Sequence, residues 1–248
     1  MSTSLNGWPG VATSGPALRT IKVPGTNRSV TLEKTCAPLF AAFLADWHKT
    51  VMPIDGKPTY RGPDGWEYRQ ARTGDGLSNH ASGTAVDVRY DVLKADHLRH
   101  MTASQIAAVH RLLDKYVDDA GRRVFGWGGD WKVADPQHNI SGYCDEMHTE
   151  LAQSWATGAR GRATTKTDVL AIIKRLGIQP DGTVAAPKLY APVIGGTPVT
   201  ASDCARCLGI SRARFLWFNP GLALRRAQPG SQVRVPPGVT PVPVHAGP

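Results

Sequence analysis

Cysteine is scarce in this chain: four residues in 248, at Cys36, Cys144, Cys204 and Cys207. So few, so scattered, exclude the disulfide-dense scaffold of a small secreted protein and fit synthesis in a reducing cytoplasm. Long apolar runs are also lacking. None approaches the roughly 20 residues needed to span a bilayer, so no membrane anchor is expected. The opening Met1-Ser-Thr-Ser-Leu-Asn-Gly-Trp-Pro has neither the basic start nor the apolar stretch of a signal peptide. Acidic residues are scarce in one region: residues 156–248 hold 12 Lys+Arg against 3 Asp+Glu, whereas residues 1–155 hold 17 of each. The whole net charge of +9 therefore sits in the C-terminal third. Such a segment is drawn to a polyanion, be it nucleic acid, an anionic membrane or the acidic polymers of a cell wall. Basic-aromatic interleaving is missing, so nucleic acid is not expected.

The length suits a catalytic core with a small accessory module. After a lead-in rich in Gly, Pro, Ser and Thr, a short strand is expected around Arg19–Val23. Leu39, Phe40, Phe43, Leu44, Trp47 and Val51 recur at helical spacing and predict an amphipathic helix from about Ala37. A second helix is expected from Thr102 to Ala120, opened by a capping box of Thr102 and Gln105 and closed at Gly121. The β-prone run from Thr84 to Tyr90 predicts a strand. Residues 153–167 lack apolar periodicity and precede a short helix, Asp168–Leu176. The domain reading is a core at 1–155, a linker with that helix at 156–187, a module at 188–237 and a Pro-rich extended tail at 238–248. Cys204 and Cys207 form a lone CxxC, read as two packed thiols on a helix.

A catalytic zinc site needs three imidazole or carboxylate ligands, an open position for water, and a nearby base. Ser78-Asn-His80-Ala-Ser-Gly83-Thr-Ala85-Val-Asp87 offers a loop His and an Asp seven residues on. Gly83 permits a tight turn and Ala85 leaves room. Asp145-Glu146-Met147-His148 offers a second His beside carboxylates. His48, His97, His100, His110, His138 and His245 have no comparable context and are not expected to bind metal.

These motifs resemble a family of zinc peptidases that includes D-Ala-D-Ala carboxypeptidases, vancomycin-resistance dipeptidases and the L-alanyl-D-glutamate peptidases of phage endolysins. The family pattern SxHxxGxAxD, followed by an acidic residue three before a His, is matched at Ser78, His80, Gly83, Ala85, Asp87, Asp145 and His148. Phe125-Gly-Trp127-Gly-Gly-Asp-Trp131 is similar to the tryptophan-glycine segment of phage members. The resemblance implies an α+β fold, a small antiparallel-sheet domain with flanking helices, and Zn2+ held by His80, Asp87 and His148. It implies Asp145 as general base, with the adjacent Glu146 as rival. It also implies an upstream arginine on the substrate carbonyl or oxyanion, Arg69 with Arg72 as rival, and an orienting role for Glu150. Ser78, Trp127 and Trp131 are candidate substrate contacts.

Residues from Lys188 to Pro237 resemble a divergent LysM module, a βααβ fold that recognises N-acetylglucosamine-containing glycans. The resemblance rests on Ala205–Ser211, on Phe215-Leu-Trp-Phe-Asn-Pro-Gly-Leu222, and on Pro229-Gly-Ser-Gln-Val-Arg-Val-Pro236. The expected function is a peptidoglycan peptidase cutting L-Ala-D-Glu, with a D,D-carboxypeptidase as the alternative and a catalytically silent wall-binding or virion component as the reading from another class. Peptidoglycan and anionic wall polymers are the expected partners. Synthesis in the host cytoplasm would be followed by release through a holin-type pore or by assembly into a phage particle.

Overall fold

The computed structural model describes residues 2–55, 60–72, 76–96, 99–131, 133–135, 140–185, 189–194, 198–236, 239–240 and 242–245. His97, His138, Lys188 and Pro237 lie outside them. The chain divides within one helix into two compact units: residues 1–172 with 180–183, and residues 173–179 with 184–248.

In the first unit, β1 (Leu18–Lys22) and β2 (Ser29–Glu33) form an antiparallel hairpin. The Glu33 carboxylate then accepts the backbone N–H groups of Thr35 and Cys36 at 2.6 and 3.2 Å, which satisfies donors at the start of α1 (Ala37–Thr50). The expectation for α1 was an amphipathic helix. Instead every residue from Ala37 to Ala45 is buried, because Ala37, Ala41, Ala42 and Ala45 let neighbouring segments close over the remaining faces. Phe43 meets Phe125 and Tyr116 with ring centroids 4.5 and 5.5 Å apart, making the aromatic centre of this unit.

The predicted strand at 84–90 shortens to β3 (Ala85–Asp87). Arg89 takes a positive φ of 58° there, its guanidinium pairing with Asp91, and the extended run ends. A two-residue strand follows, β4 (Ala95–Asp96). Helix α2 (Ala103–Lys115) has the expected capping box, with Thr102 and Gln105 exchanging side-chain and backbone bonds. It stops five residues before Ala120. Asp118 accepts the N–H groups of Ala120 and Arg122 on one carboxylate oxygen, and Val117 bridges Arg123, so a tight turn replaces the last helical turn.

Next come β5 (Phe125–Trp127), a 3-10 turn at Gly128–Asp130, β6 (Val133–Asp135), β7 (Ile140–Asp145) and β8 (His148–Leu151). Two antiparallel three-stranded sheets result, in the orders β3-β8-β5 and β4-β7-β6. Residues 156–164, expected as linker, pack into this unit. Ala152, Ala156 and Ala159 form a buried cluster, Thr164 donates through Oγ1 to the Val124 carbonyl at 2.9 Å, and Trp8 Nε1 donates to the Thr164 carbonyl at 2.9 Å. Small residues bury without leaving periodicity, which is why this segment reads as linker. The helix expected at 168–176 is α3 (Lys166–Leu176).

The second unit contains β9 (Leu189–Ile194), α4 (Ala201–Cys207), α5 (Arg212–Phe218) and β10 (Gln232–Val235) in β-α-α-β order, with β9 and β10 antiparallel. Thr200 and Asp203 form a capping box on α4, and Ser211 caps α5. The tail is not wholly an extended coil: β11 (Val244–His245) pairs parallel with β9. Cys204 is buried and Cys207 exposed, so one of the two thiols is packed. No helix among the described residues is long and apolar enough to cross a membrane.

Candidate metal centre

The β3–β8 ladder pairs Asp87 with His148 and Ala85 with Glu150. Residues directly opposite in an antiparallel pair share a face, as do residues two apart on one strand. Asp87, His148 and Glu150 therefore project to one side, and Ala85 opposite Glu150 adds no bulk there. Val86 and Thr149 are buried on the other side.

His80 arrives from the turn that precedes β3. That turn requires a glycine: Gly83 has φ +68°, and a Cβ on it would stand 2.5 Å from the Glu33 backbone nitrogen. Its carbonyl accepts the Glu33 N–H at 2.9 Å, which ties the turn to β2. Ser78 Oγ accepts the His80 N–H at 3.3 Å.

His80 Nε2 lies 3.3 Å from Asp87 Oδ1 and 3.3 Å from His148 Nδ1, and the last two atoms are 2.9 Å apart. Four ligands at about 2.0–2.1 Å in a tetrahedron around zinc would be separated by about 3.3 Å. The three donor atoms are thus spaced for one ion. The outer ring nitrogens are also committed. His80 Nδ1–H donates to the Gly65 carbonyl at 2.5 Å, leaving Nε2 with its lone pair inward. His148 Nε2–H donates to Glu150 Oε2 at 3.0 Å, leaving Nδ1 inward. Glu150 is held in turn by Asn79 Nδ2 at 2.5 Å and Gln153 Nε2 at 2.7 Å. Imidazoles fixed by such outer partners are what a metal site requires, so the residues present fit a zinc ion. Among the described residues, His80, Asp87 and His148 are the group that can hold a metal.

Electrostatics sharpen the picture. Burial would raise the Asp87 carboxyl, but hydrogen bonds with His148 and His80 outweigh it and hold the group well below the usual carboxylate range. Burial opposes protonation of His148, yet its bonds to Asp87 and Glu150 push it well above an ordinary imidazole. Asp145, the last residue of β7, is raised to about 6, first by burial and then by Asp87, against the lowering pull of His148, Arg72 and His80. Its buried Oδ1 has no hydrogen-bond partner among the described residues. Gly128 admits it: a Cβ there would stand 2.4 Å from the Asp145 carbonyl oxygen.

A cavity of about 100 Å³ opens on this cluster, lined by Asp87, His148, Asp145, Arg69, Arg72 and Ser78, among others. Arg69 Nε pairs with Glu67 at 2.7 Å, and Arg72 is exposed. Glu146 is turned away from the cavity. It is fully buried, its Oε2 accepts the N–H groups of His100 and Met101, both at 2.8 Å, and its Oε1 faces Arg99 at 3.3 Å. The two tryptophans separate likewise. Trp131 lines the cavity with its ring centroid 5.1 Å from that of His148, whereas Trp127 is buried and donates to the Glu146 carbonyl. Of the other histidines, His48 accepts the Ile54 N–H, while His100 and His110 meet Asp96 and Asp130.

Three neighbours had no motif to announce them. Asn79 and Gln153 grip Glu150, and Trp155, 57% exposed, stands at the cavity edge with its ring 6.0 Å from Trp131 and its Nε1–H on Gln153. Their signal was only adjacency to Ser78, His80 and Glu150.

Two imidazoles and a carboxylate around one point can hold a metal ion with a position left open, and Asp145, with one buried unpartnered oxygen, lines the same cavity. Residues 71–139 match the family model described as D-alanyl-D-alanine carboxypeptidase, which supports a peptidase of that family. The matched stretch includes His80 and Asp87 and ends before Asp145 and His148. No curated protein and no solved structure matches the chain significantly.

Proposed function

We propose that the protein is a zinc-dependent peptidoglycan peptidase, an L-Ala-D-Glu endopeptidase of phage-lysin type acting at the bacterial wall. The observation that carries this is the convergence of His80 Nε2, Asp87 Oδ1 and His148 Nδ1 within 3.3 Å of one another, beside the unpartnered Oδ1 of Asp145. Zinc, when bound by these three residues, supplies Lewis acidity toward water and the scissile carbonyl.

Asp145 is the general base. Its carboxylate takes a proton from the attacking water at Oδ1, and the resulting carboxyl returns it to the leaving amine. In the metal-free fold, burial raises this carboxyl to about 6, the direction that makes its carboxylate a better proton acceptor. Glu146 is a poor rival because its carboxylate is spent on two backbone N–H groups. Arg72 and Arg69 hold substrate carboxylate or carbonyl oxygen from across the cavity, and Trp131 and Ser78 line its wall. The second unit serves as a LysM-like wall-binding module, a reading supported by its β-α-α-β order.

A second reading, a D,D-carboxypeptidase, is favoured by the description of the matched family. Digestion of purified peptidoglycan by the full chain, with the new termini identified by mass spectrometry, separates them. New D-Glu amino termini support the endopeptidase, release of terminal D-Ala alone supports the carboxypeptidase, and wall binding without release points to a silent binding protein.

A further inference from the structure

The second unit is far more basic than glycan recognition requires. Its two segments, 173–179 and 184–248, contain nine Lys and Arg against a single acidic residue, Asp203. Asp203 is already committed: it closes the capping box with Thr200 and pairs with Arg206 at 2.6 Å. Asp203 is the one acidic side chain in the unit, and its charge is shared between Arg206 and Arg226.

Three of these arginines meet in one place. A cleft of about 600 Å³ is lined by Arg225, Arg226 and Arg234, together with Gln228, Ser231 and Gln232, and no carboxylate is among the described residues that line it. All three arginines are exposed and form no ion pair among the described residues. The walls are fixed by backbone chemistry. The Asn219 side chain accepts the Arg234 N–H at 2.8 Å and donates to the Arg234 carbonyl at 2.9 Å, pinning the loop after α5 to β10. Ser231 Oγ donates to the Gln228 carbonyl at 2.6 Å and closes the far turn. The Arg225 guanidinium lies over Gly221, where a Cβ would come to 3.0 Å from its Nη2.

We propose that this cleft binds the phosphodiester groups of an anionic wall polymer. The inference rests on the reading that the second unit works at the wall, and it adds a ligand of different chemistry from a neutral glycan. Guanidinium groups present planar pairs of N–H donors that match phosphate oxygens, and three in one cleft can grip successive phosphates along a chain. Nucleic acid has the same backbone charge, but single-strand binding also needs aromatic faces on which bases stack. Among the described residues, the aromatic lining the cleft is Phe218, which is buried. Phosphate recognition without base recognition favours the wall polymer.

The test measures binding of the full chain to purified Gram-positive walls, to the same walls stripped of phosphodiester polymer with hydrofluoric acid, and to a single-stranded DNA oligomer. The variant R225Q/R226Q/R234Q is compared with K174Q/R206Q/R212Q, which removes the same charge elsewhere in the unit. Expected is at least about tenfold weaker binding to native walls for the cleft variant, with stripped walls bound as weakly by wild type. Its salt dependence should be shallower by roughly two in log–log slope, given about 0.7 per phosphate contact on a single-stranded polyanion. Hydrolysis of soluble muropeptides should be unchanged in both variants, so loss of the catalytic reading would be visible separately. Equal loss in both variants would mean diffuse charge and overturn the site. Equal binding to native and stripped walls, or tighter binding to DNA than to native walls, would overturn the ligand.

Discussion

Asp87 and His148 stand directly opposite each other on the β3–β8 ladder, with Asp87 Oδ1 2.9 Å from His148 Nδ1. Two side chains 61 positions apart are thereby delivered to one point by strand register rather than by loop placement. A slip of β8 by one residue would turn His148 to the opposite face while Asp87 stayed, and so dissolve the site.

The ligand set makes a direct prediction. His148→Ala or Asp87→Ala removes one of three donors, and zinc affinity should fall by more than about 100-fold, beyond what losing an outer partner costs. Competition against a chromophoric chelator measures this, and affinity equal to wild type would remove the residue from the ligand set.

Glu150→Gln tests the outer partner. Gln can still accept from His148 Nε2 but lacks the charge that raises the basicity of the imidazole. Zinc affinity should drop about 10- to 100-fold with the fold intact. Asn79→Ala, which frees Glu150 from its 2.5 Å bond, should act in the same direction more weakly.

Asp145 predicts a pH signature in the metal-free protein. Its carboxyl is raised in the fold to about 6 from an ordinary value near 3.8. A raised value means that the residue's contribution to stability is fully present below about pH 4 and is lost as pH rises through 6. Asp145→Asn should therefore raise the melting temperature of the apoprotein at pH 7.5 and not at pH 4. Equal shifts at both values would show that Asp145 is not desolvated.

Gly83→Ala should destabilise the first unit by at least about 2 kcal/mol, because φ is positive and the new Cβ would meet the Glu33 backbone. A thermal melt reads this directly. A variant as stable as wild type would mean that the turn can be rebuilt.

How much of this was legible in the sequence depends on chain distance. Ser78, His80, Gly83 and Asp87 lie within ten residues, and the constraints of a tight turn and an open strand are written into that stretch. The capping box of α2 was legible for the same reason, since its two partners are three residues apart. The grip of Asn79 on Glu150 was not, because the partners are 71 positions apart and neither type is unusual in its place. Nor was the packing of 156–164, where Ala156, Ala159 and Thr164 bury without apolar periodicity. The separate fates of Asp145 and Glu146 were also hidden. They turn on which of two adjacent carboxylates meets the N–H groups of His100 and Met101.

Zinc content and peptide release, measured together on wild type and Asp145→Ala with purified peptidoglycan, test the central claim most directly. The account predicts about one zinc per chain in both proteins, and release lowered by about 100-fold or more in the variant. Zinc retained with release unchanged would contradict it.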